Sequence, residues 1–305
     1  MKIGIVSAEP SGDLLGSKLL SVLEQKFANI SVTGVGSGPL SNYGVSSDRS
    51  LLEIMGLVDP LLNFRKISKF RKKLIKDFLK EEIDIFIGID APDFNFEIHK
   101  KMQEKGVKTV HVVCPSVWAW RPGRVKHFKH VDYMLCLFPF ELEYCANVRK
   151  QAFCIGHPLI DEQAAYESEF KEDIVCIMPG SRKSEIQNNL DVMIDGFNQF
   201  NYQDNFKAII PVYKKEDKYL IQHKTQNHKN ISCEHVHSAE VLKKAKAAIV
   251  CSGTATLEAL LAGIPTTVVY KTNWFNHFVL KQLMLSEFAS IPNICLLYTF
   301  SEPTR

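Results

Sequence analysis

Residues 2–13 read KIGIVSAEPSGD, an apolar run that passes directly into a polar turn. The isoleucines and valine of residues 2–6 give that run the composition of a short buried strand. Residues 14–27 then form a helix candidate. A strand that leads through a turn into a helix is the beginning of a β-α-β unit. This stretch therefore predicts a parallel sheet with crossover helices.

The same alternation of short β-rich runs and longer amphipathic stretches continues along the chain. A further helix is predicted over residues 64–82. Glycine and proline punctuate residues 156–159, so we place a domain boundary there and expect lobes at 1–157 and 158–305. The fold class is α/β, with two Rossmann-like parallel-sheet lobes. Its predicted strands cover residues 2–6, 83–89, 108–113, 133–137, 174–178, 208–212, 247–250 and 266–269.

The composition indicates a folded globular protein, because the 305 residues are 46% hydrophobic and 23% charged. A net charge of +3 is too small to indicate nucleic-acid binding. Polar residues and proline interrupt the most apolar stretch, 247–270, so no membrane span is predicted. The N-terminus begins a strand at once and has no signal-peptide core. The scattered cysteines make a reducing cytoplasm the simplest setting.

Neither a metal site nor a cofactor is predicted. The eight cysteines include no C-x-x-C pair, so their spacing indicates neither a zinc site nor a disulfide framework. Asp90 and Asp93 have no accompanying histidine or glutamate cluster that would complete an oxygen cage. The run VTGVGSG at 32–38 lacks G-x-G-x-x-G spacing and precedes Pro39, so a dinucleotide fingerprint is not indicated.

The segment GIDAPDFN at 88–95 follows a predicted buried strand. A carboxylate at the end of such a strand is partly removed from water, which disfavours its charged form and suits it to take a proton from a hydroxyl. Asp90 is therefore the candidate general base. The alternative is a cap on the following helix, a role that Asp93 fits better.

Two other loops of the first lobe carry candidate site residues. The turn SAEPSGD at 7–13 ends the first strand, where ligands of open α/β sheets bind, although it could equally be a simple helix cap. The loop CPSVWAWR at 114–121 places Trp118 and Trp120 beside Arg121 and a basic run. These residues suit a sugar pocket that also holds a phosphate, or one indole packs beneath the loop.

Two strand-to-helix turns of the second lobe suit a nucleotide diphosphate. In MPGSRKSE at 178–185, Gly180 permits close backbone approach and Arg182 adds a permanent positive charge near the helix N-terminus. In CSGTATLE at 251–258, Glu258 is placed to accept hydrogen bonds from ribose hydroxyls. Each turn would also serve as an ordinary helix cap. The Walker spacing for ATP is absent from both.

An apolar segment, MGLVDPLL at 55–62, precedes the predicted helix at 64–82, which carries many lysines and arginines. Such a combination suits docking on an anionic bilayer. The alternative is a crossover helix with a solvated basic face. The apolar patch consists of Met55, Leu57, Val58, Leu61 and Leu62.

Taken in order, SAEPSGD, GIDAPDFN, PSVWAWR, FPFE, GHP, PGSRxxE, SGTATLE and SIPN resemble the motifs of the lipid-A-disaccharide synthases, from residue 1 to about 293. The resemblance implies a GT-B fold of two Rossmann-like lobes facing across a cleft. It implies transfer of 2,3-diacylglucosamine from its UDP derivative to 2,3-diacylglucosamine 1-phosphate, with formation of the lipid A disaccharide. It also implies a cytoplasmic enzyme of lipopolysaccharide synthesis, peripheral on the inner face of the inner membrane.

The resemblance implies roles for individual residues. Asp90 would deprotonate the acceptor 6-hydroxyl, which attacks the anomeric carbon with inversion, and Arg182 would offset charge on the departing diphosphate without a metal. The apolar patch would receive acyl chains, and Trp118, Trp120 and Arg121 would contact the acceptor. Family residues needed for activity match Glu9, Ser11, Asp90, Arg182 and Asn293. The nucleotide would be held by Gly180, Ser181, Arg182, Ser252, Gly253, Thr254 and Glu258.

The C-terminus departs from the family pattern, because family members continue through further helices beyond the position of Asn293. We therefore expect an incomplete second lobe and a truncated chain of lowered activity. Two other functions share parts of the pattern. A UDP-sugar epimerase of similar fold would need the nucleotide turns alone, and a non-catalytic peripheral lipid-binding protein would need only the docking patch.

Overall fold

The computed structural model describes residues 1–46, 59–166, 170–201, 203, 205–212, 215–271, 290 and 292–293, with the backbone alone for 59–63, 162–164 and 215–216. The chain divides into two compact units, Met1–Gly156 and His157–Arg305. The division falls within the glycine- and proline-punctuated segment 156–159. Each unit is built on its own parallel sheet.

The first unit contains a six-stranded sheet in the order β2-β1-β3-β4-β5-β6, with every neighbouring pair parallel. Short 3-10 helices cover Gly38–Tyr43, Pro122–His130 and Pro139–Tyr144. The strands are β1 (Lys2–Ser7), β2 (Ser31–Val35), β3 (Ile85–Ile89), β4 (Lys108–Val112), β5 (Tyr133–Cys136) and β6 (Gln151–Cys154), and the helices are α1 (Pro10–Lys26), α2 (Asp59–Glu81) and α3 (Pro92–Glu104).

The second unit contains a five-stranded parallel sheet in the order β11-β10-β7-β8-β9. A 3-10 helix covers Pro158–Ala165. The strands are β7 (Glu172–Met178), β8 (Lys207–Pro211), β9 (Ile231–Glu234), β10 (Ala245–Cys251) and β11 (Thr266–Val269), and the helices are α4 (Lys183–Phe200), α5 (Lys215–Thr225), α6 (Ser238–Lys244) and α7 (Ala255–Leu261).

Both faces of the first sheet are buried. On β1, Ile5 packs with Leu20 of α1, whereas the next residue, Val6, packs with Phe78 of α2 and Phe94 of α3. Successive side chains of a strand point to opposite faces, so a strand that is covered on both sides must be apolar throughout. The uninterrupted apolar run of residues 3–6 has this physical origin.

The structure confirms the predicted fold class, and every strand predicted from the sequence is present. Three strands were not predicted: β2, β6 and β9. All three lie at a sheet edge, where they are only partly buried. An edge strand needs less apolar sequence than a central one, so the pattern that revealed the inner strands is absent from these segments.

Helix α2 buries its apolar face in the first unit and exposes its basic face. Ile67, Leu74 and Phe78 belong to the core. The helix therefore has the crossover packing that the sequence left open as an alternative. Exposed cations on the other side are Arg65, Lys66, Lys69, Lys72, Lys73, Lys76 and Lys80. Among helices in the described part of the chain, none is both long and apolar enough to cross a membrane.

Candidate active site

The first sheet has a topological switch point between β1 and β3, because the chain proceeds from β1 to β2 on one side and from β3 to β6 on the other. Ligands of open α/β sheets bind at such points, outside the carboxyl ends of the strands. Ser7, the last residue of β1, is in register with Ile89, the last residue of β3. The turn that contains Glu9 and the turn that contains Asp90 therefore follow neighbouring strand ends.

Asp90 lies in a tightly held turn. Asp90 and Ala91 have φ angles of +48° and +44°, in the left-handed region that is unfavourable for residues other than glycine. The buried Asn95 holds this conformation, because its side-chain amide donates to the carbonyl oxygens of Asp90 at 2.8 Å and Ile89 at 3.4 Å. The Asp90 N–H donates to the Val112 carbonyl at 2.9 Å. The half-buried Asp90 is thus presented from a fixed backbone.

A buried histidine pair packs beneath this turn. His99 Nε2 and His111 Nδ1 are 3.0 Å apart, and a Cβ added at Gly88 would lie 2.8 Å from His99 Nε2. Burial holds the pKa of His99 well below its usual range and lowers the pKa of His111 to about 3. Both rings are therefore neutral, and one ring donates to the other.

The turn after β1 is packed closely against the sheet. Gly12 is required there, because a Cβ at this position would lie 2.7 Å from Ser7 Oγ. Glu9 is half-buried and Ser11 is exposed at the start of α1. The buried Asp13 accepts the backbone N–H of Ser37 at 3.2 Å, which joins α1 to the loop after β2.

The 114–121 loop is braced by its two indoles. Trp118 packs edge-on against Phe140, with ring centroids 5.4 Å apart. Trp120 contacts the guanidinium groups of both Arg121 and Arg124, which lie 4.5 Å and 4.9 Å from the centroid of its ring. Both arginines also form ion pairs with Asp93.

Asp93 is therefore not the helix cap that the sequence favoured. The N-cap of α3 is Ala91, and Asp93 lies in the first turn of that helix. Its carboxylate pairs instead with Arg121 at 2.8 Å and Arg124 at 2.5 Å. From the sequence, Arg121 was expected to help hold a phosphate. In the structure, the ion pair with Asp93 partly neutralises its positive charge.

The second sheet has its switch point between β7 and β10, and both predicted nucleotide turns lie there. Val250 of β10 is in register with Met178 of β7. Asn189 of α4 is buried beside the two turns, where its amide accepts the Lys271 N–H at 2.6 Å and contacts Cys251 Sγ at 3.7 Å. The structure thus brings the 179–182 and 252–254 turns to one edge of the sheet.

The N-terminus of α4 is already occupied by a side chain of the same helix. Glu185 Oε2 accepts the backbone N–H groups of Ser181 at 3.0 Å and Arg182 at 3.2 Å. Glu185 Oε1 lies 3.5 Å from Arg182 Nη1, and the Arg182 side chain is half exposed. Gly180, with φ of +120°, could not carry a side chain here because a Cβ would lie 2.5 Å from that of Glu185. A diphosphate that used these amides would have to displace Glu185.

Glu258 is positioned by residues from other segments. Its carboxylate accepts hydrogen bonds from Ser238 Oγ and, at 3.5 Å, from the hydroxyl of the buried Tyr166. Gly253, at the start of this turn, has φ of +141°. Glu258 lies one turn into α7, as the sequence predicted.

The remaining predicted residues are described only in part. Asn293 Oδ1 accepts from Ser290 Oγ at 2.8 Å, and the Asn293 N–H donates to the same hydroxyl at 3.4 Å. Met55, Leu57 and Val58 lie outside the described residues. The other patch residues, Leu61 and Leu62, belong to the first turns of α2, and their side chains are likewise outside the description.

The sequence model of the lipid-A-disaccharide synthetase family matches residues 3–302. The chain belongs to this family. The lipid-A-disaccharide synthase of Francisella philomiragia is 34% identical to it over 96% of this chain and 82% of that protein. The synthase of Idiomarina loihiensis is 33% identical over the same shares of the two chains, 96% and 82%. These matches confirm the family resemblance and the predicted enzyme class, a glycosyltransferase.

Solved structures of low sequence identity share the fold. The S. aureus MnaA–UDP structure superimposes with a TM-score of 0.64 at 14% identity, covering 97% of this chain and 86% of that one. The UDP-GlcNAc 2-epimerase of Neisseria meningitidis, bound to UDP-GlcNAc, gives a TM-score of 0.61 at 12% identity, covering 97% and 90%. At this identity the likeness concerns the two-lobed architecture alone.

Sequence reasoning missed the residues that hold the predicted ones in position. Glu185 could have been found, because a glutamate three residues after a helix N-cap is the spacing of a capping box. Asn95 lies in the same motif as Asp90, but its contact depends on the turn geometry. Ser238 and Tyr166 come from distant segments and carry no local signal.

Proposed function

We propose that this chain forms the lipid A disaccharide by transferring 2,3-diacylglucosamine from UDP-2,3-diacylglucosamine to 2,3-diacylglucosamine 1-phosphate. The products are the β-1,6-linked disaccharide and UDP. The observation that carries the proposal is the family match over residues 3–302. The polar turns at the two switch points support the proposed reaction, because they give each lobe one sheet edge at which a ligand can bind.

In the proposed reaction, Asp90 acts as general base in the first lobe. It takes the proton of the acceptor 6-hydroxyl while that oxygen bonds to the donor anomeric carbon and the bond from this carbon to UDP breaks. Attack from the face opposite UDP gives inversion. The fixed turn at Asp90 supports this role, because a base must be held in place relative to the hydroxyl. Glu9 and Ser11 follow the neighbouring strand end and would orient the acceptor.

The second lobe would bind UDP at its own switch point. We assign the diphosphate to the 180–182 turn and the ribose hydroxyls to Glu258, which Ser238 and Tyr166 hold in place. For the diphosphate to reach the Ser181 and Arg182 amides, Glu185 must swing away. Its departure would also end the 3.5 Å ion pair with Arg182, whose guanidinium would help to neutralise the charge that builds on the leaving diphosphate.

Docking on an anionic membrane is a further part of the proposal. Both proposed substrates carry acyl chains, so the enzyme must reach them at a lipid surface. The exposed lysines and arginines of α2 supply a positive face, and the adjoining patch at 55–62 would receive acyl chains. We propose a peripheral location on the inner face of the inner membrane.

A two-substrate assay tests the proposal. The purified chain is incubated with the UDP-linked donor and a radiolabelled acceptor, and labelled disaccharide and UDP should appear in equal amounts. The anomeric coupling in the product's NMR spectrum reports inversion. Epimer formed from UDP-sugar alone, without disaccharide, would instead identify an epimerase. Vesicle binding without release of UDP would identify a non-catalytic lipid-binding protein.

A further inference from the structure

Three cysteines from separate parts of the sequence meet at the carboxyl edge of the first sheet. Cys114 follows β4, Cys136 is the last residue of β5, and Cys145 follows the 3-10 helix Pro139–Tyr144. Strands β4 and β5 are parallel neighbours, so their carboxyl ends lie side by side. All three side chains are buried, with exposed fractions of 2%, 0% and 6%.

The three sulfurs have the spacing of metal ligands. Cys145 Sγ lies 3.7 Å from Cys136 Sγ and 4.0 Å from Cys114 Sγ, and all three atoms are within 4.8 Å of one another. A zinc–sulfur bond of about 2.3 Å places the sulfurs of a tetrahedral or trigonal site about 3.8–4.0 Å apart. Two of the sulfur–sulfur separations, 3.7 Å and 4.0 Å, are within about 0.1 Å of this range. In the described part of the chain, no other group of three such side chains is so close.

We propose that Cys114, Cys136 and Cys145 bind one soft d10 metal ion, Zn²⁺ or Cu⁺, as thiolates. Ions of this class favour sulfur ligands, and three thiolates leave room for one further ligand on zinc or complete a trigonal site for copper. No step of the proposed sugar transfer uses this metal site.

The spacing of the three sulfurs suits metal ligands better than a disulfide. A disulfide needs sulfurs about 2.0 Å apart and would use only two of the three cysteines. Cys114 Sγ donates to the Pro115 carbonyl at 3.6 Å and Cys145 Sγ donates to the Glu141 carbonyl at 3.4 Å.

A bound ion would join three segments that surround the proposed acceptor loop. Cys114 begins the 114–121 loop, and Cys145 ends the turn that contains Phe140, which packs on Trp118. A metal that links these cysteines would fix the loop relative to β5. We expect it to stabilise the first unit rather than to take part in catalysis.

The test begins with metal content and cobalt spectroscopy. The full chain is purified in reductant without chelator and should hold about one equivalent of zinc or copper by mass spectrometry. After metal removal, Co²⁺ should bind with the near-ultraviolet charge-transfer band of cobalt–thiolate bonds, and Zn²⁺ should displace it. If the wild-type chain, with its thiols reduced, gives no such band and retains no Zn²⁺ or Cu⁺, the proposal is wrong.

Single substitutions locate the ligands. Cys136→Ser or Cys145→Ser removes a direct ligand, so it should weaken Zn²⁺ binding by more than the roughly 10–100-fold that loss of an outer-shell partner costs a metal site. Cys154→Ser is the matched control, because Cys154 is exposed on the same sheet and should leave binding unchanged. Unchanged binding in both cluster variants would mean an adventitious ion only. If one variant does not fold, the other and the wild-type cobalt spectrum still decide the question.

Discussion

At the scale of single residues, the proposed base makes the sharpest prediction. Asp90→Asn removes the proton acceptor but preserves the size of the side chain and the backbone bonds of its turn. We expect turnover to fall by roughly 10²–10⁴-fold, the usual contribution of a positioned general base. The melting temperature should change little. Steady-state rates of disaccharide formation and a thermal melt of each protein measure both effects.

The matched control for this substitution is Asp84→Asn. Asp84 precedes the same strand at its opposite end, where its carboxylate accepts the Lys2 N–H at 2.7 Å. An asparagine oxygen can still accept that bond, so turnover should stay near the wild-type value. Equal activity of the two variants would exclude Asp90 as the base.

Asn95 makes a second residue-scale prediction, as a positioning residue. Asn95→Ala leaves the Asp90 and Ile89 carbonyls without this buried donor, so the free energy of unfolding should fall by about 1–3 kcal/mol. The Asp90 turn also loses its brace, and kcat should fall on the order of 10²-fold while KM stays near its original value. Denaturant titration and steady-state kinetics give the two numbers.

Asn201→Ala separates lost stability from lost positioning. Asn201 bonds the backbone of Phe206 through both of its amide atoms, at 2.8 Å and 2.9 Å, in the second unit. Its removal should destabilise the protein by a similar amount but leave kcat unchanged. A comparable loss of kcat in both variants would show that Asn95 has only a structural role.

At the scale of secondary-structure elements, α2 is the proposed membrane-binding surface. Neutralising Lys69, Lys72 and Lys76 by alanine should weaken binding to anionic vesicles by about 3 kcal/mol, roughly 10²-fold, because each cation near such a surface contributes about 1 kcal/mol. Wild-type binding should also weaken with salt, because the Debye length falls from about 10 Å at 0.1 M to 3 Å at 1 M. Vesicle sedimentation measures both.

A charge-matched control tests whether α2 itself is responsible. Lys207, Lys243 and Lys244 are exposed lysines of the second unit, and their replacement by alanine lowers the net charge equally. This variant should sediment like the wild type. If the two triple variants lose binding to the same extent, net charge rather than α2 governs the interaction.

The secondary-structure elements also show which parts of the fold and the site could be predicted from the sequence. Buried strands such as β1 and β3 were predictable because a strand covered on both faces must be apolar throughout. Residues that follow those strands, such as Asp90, could be assigned to the sheet's carboxyl edge for the same reason. The edge strand β6 could not be recognised, since most of its residues are exposed. The cysteine cluster was missed because its members are adjacent only through the pairing of β4 and β5.

At the scale of the whole molecule, buried titratable groups make stability depend on pH. His99 and His111 are neutral in the folded protein but take up protons below pH 6.5 when unfolded. Their protonation in the unfolded chain therefore lowers the free energy of unfolding as pH falls below 6.5, and for His111 this continues to about pH 3. Glu141 acts in the opposite direction. Its pKa is raised from 4.5 to about 7, so the stability that its proton contributes is present below 4.5 and lost as pH rises through 7.

Between pH 4.5 and 6.5, these groups predict that the unfolded chain binds one more proton than the folded chain, since two histidines oppose one glutamate. The free energy of unfolding should fall by about 1.4 kcal/mol for each unit of acidification in this window. Replacing both histidines by glutamine removes their contribution and leaves the opposing one of Glu141 beside those of the partly exposed His127 and His130, whose pKa values burial also lowers, so the slope should become much shallower. The His223→Gln variant, at an exposed histidine of α5, should keep the wild-type slope. Denaturant titrations at half-unit intervals measure these slopes, and a double variant with an unchanged slope would show that the buried pair does not govern acid stability.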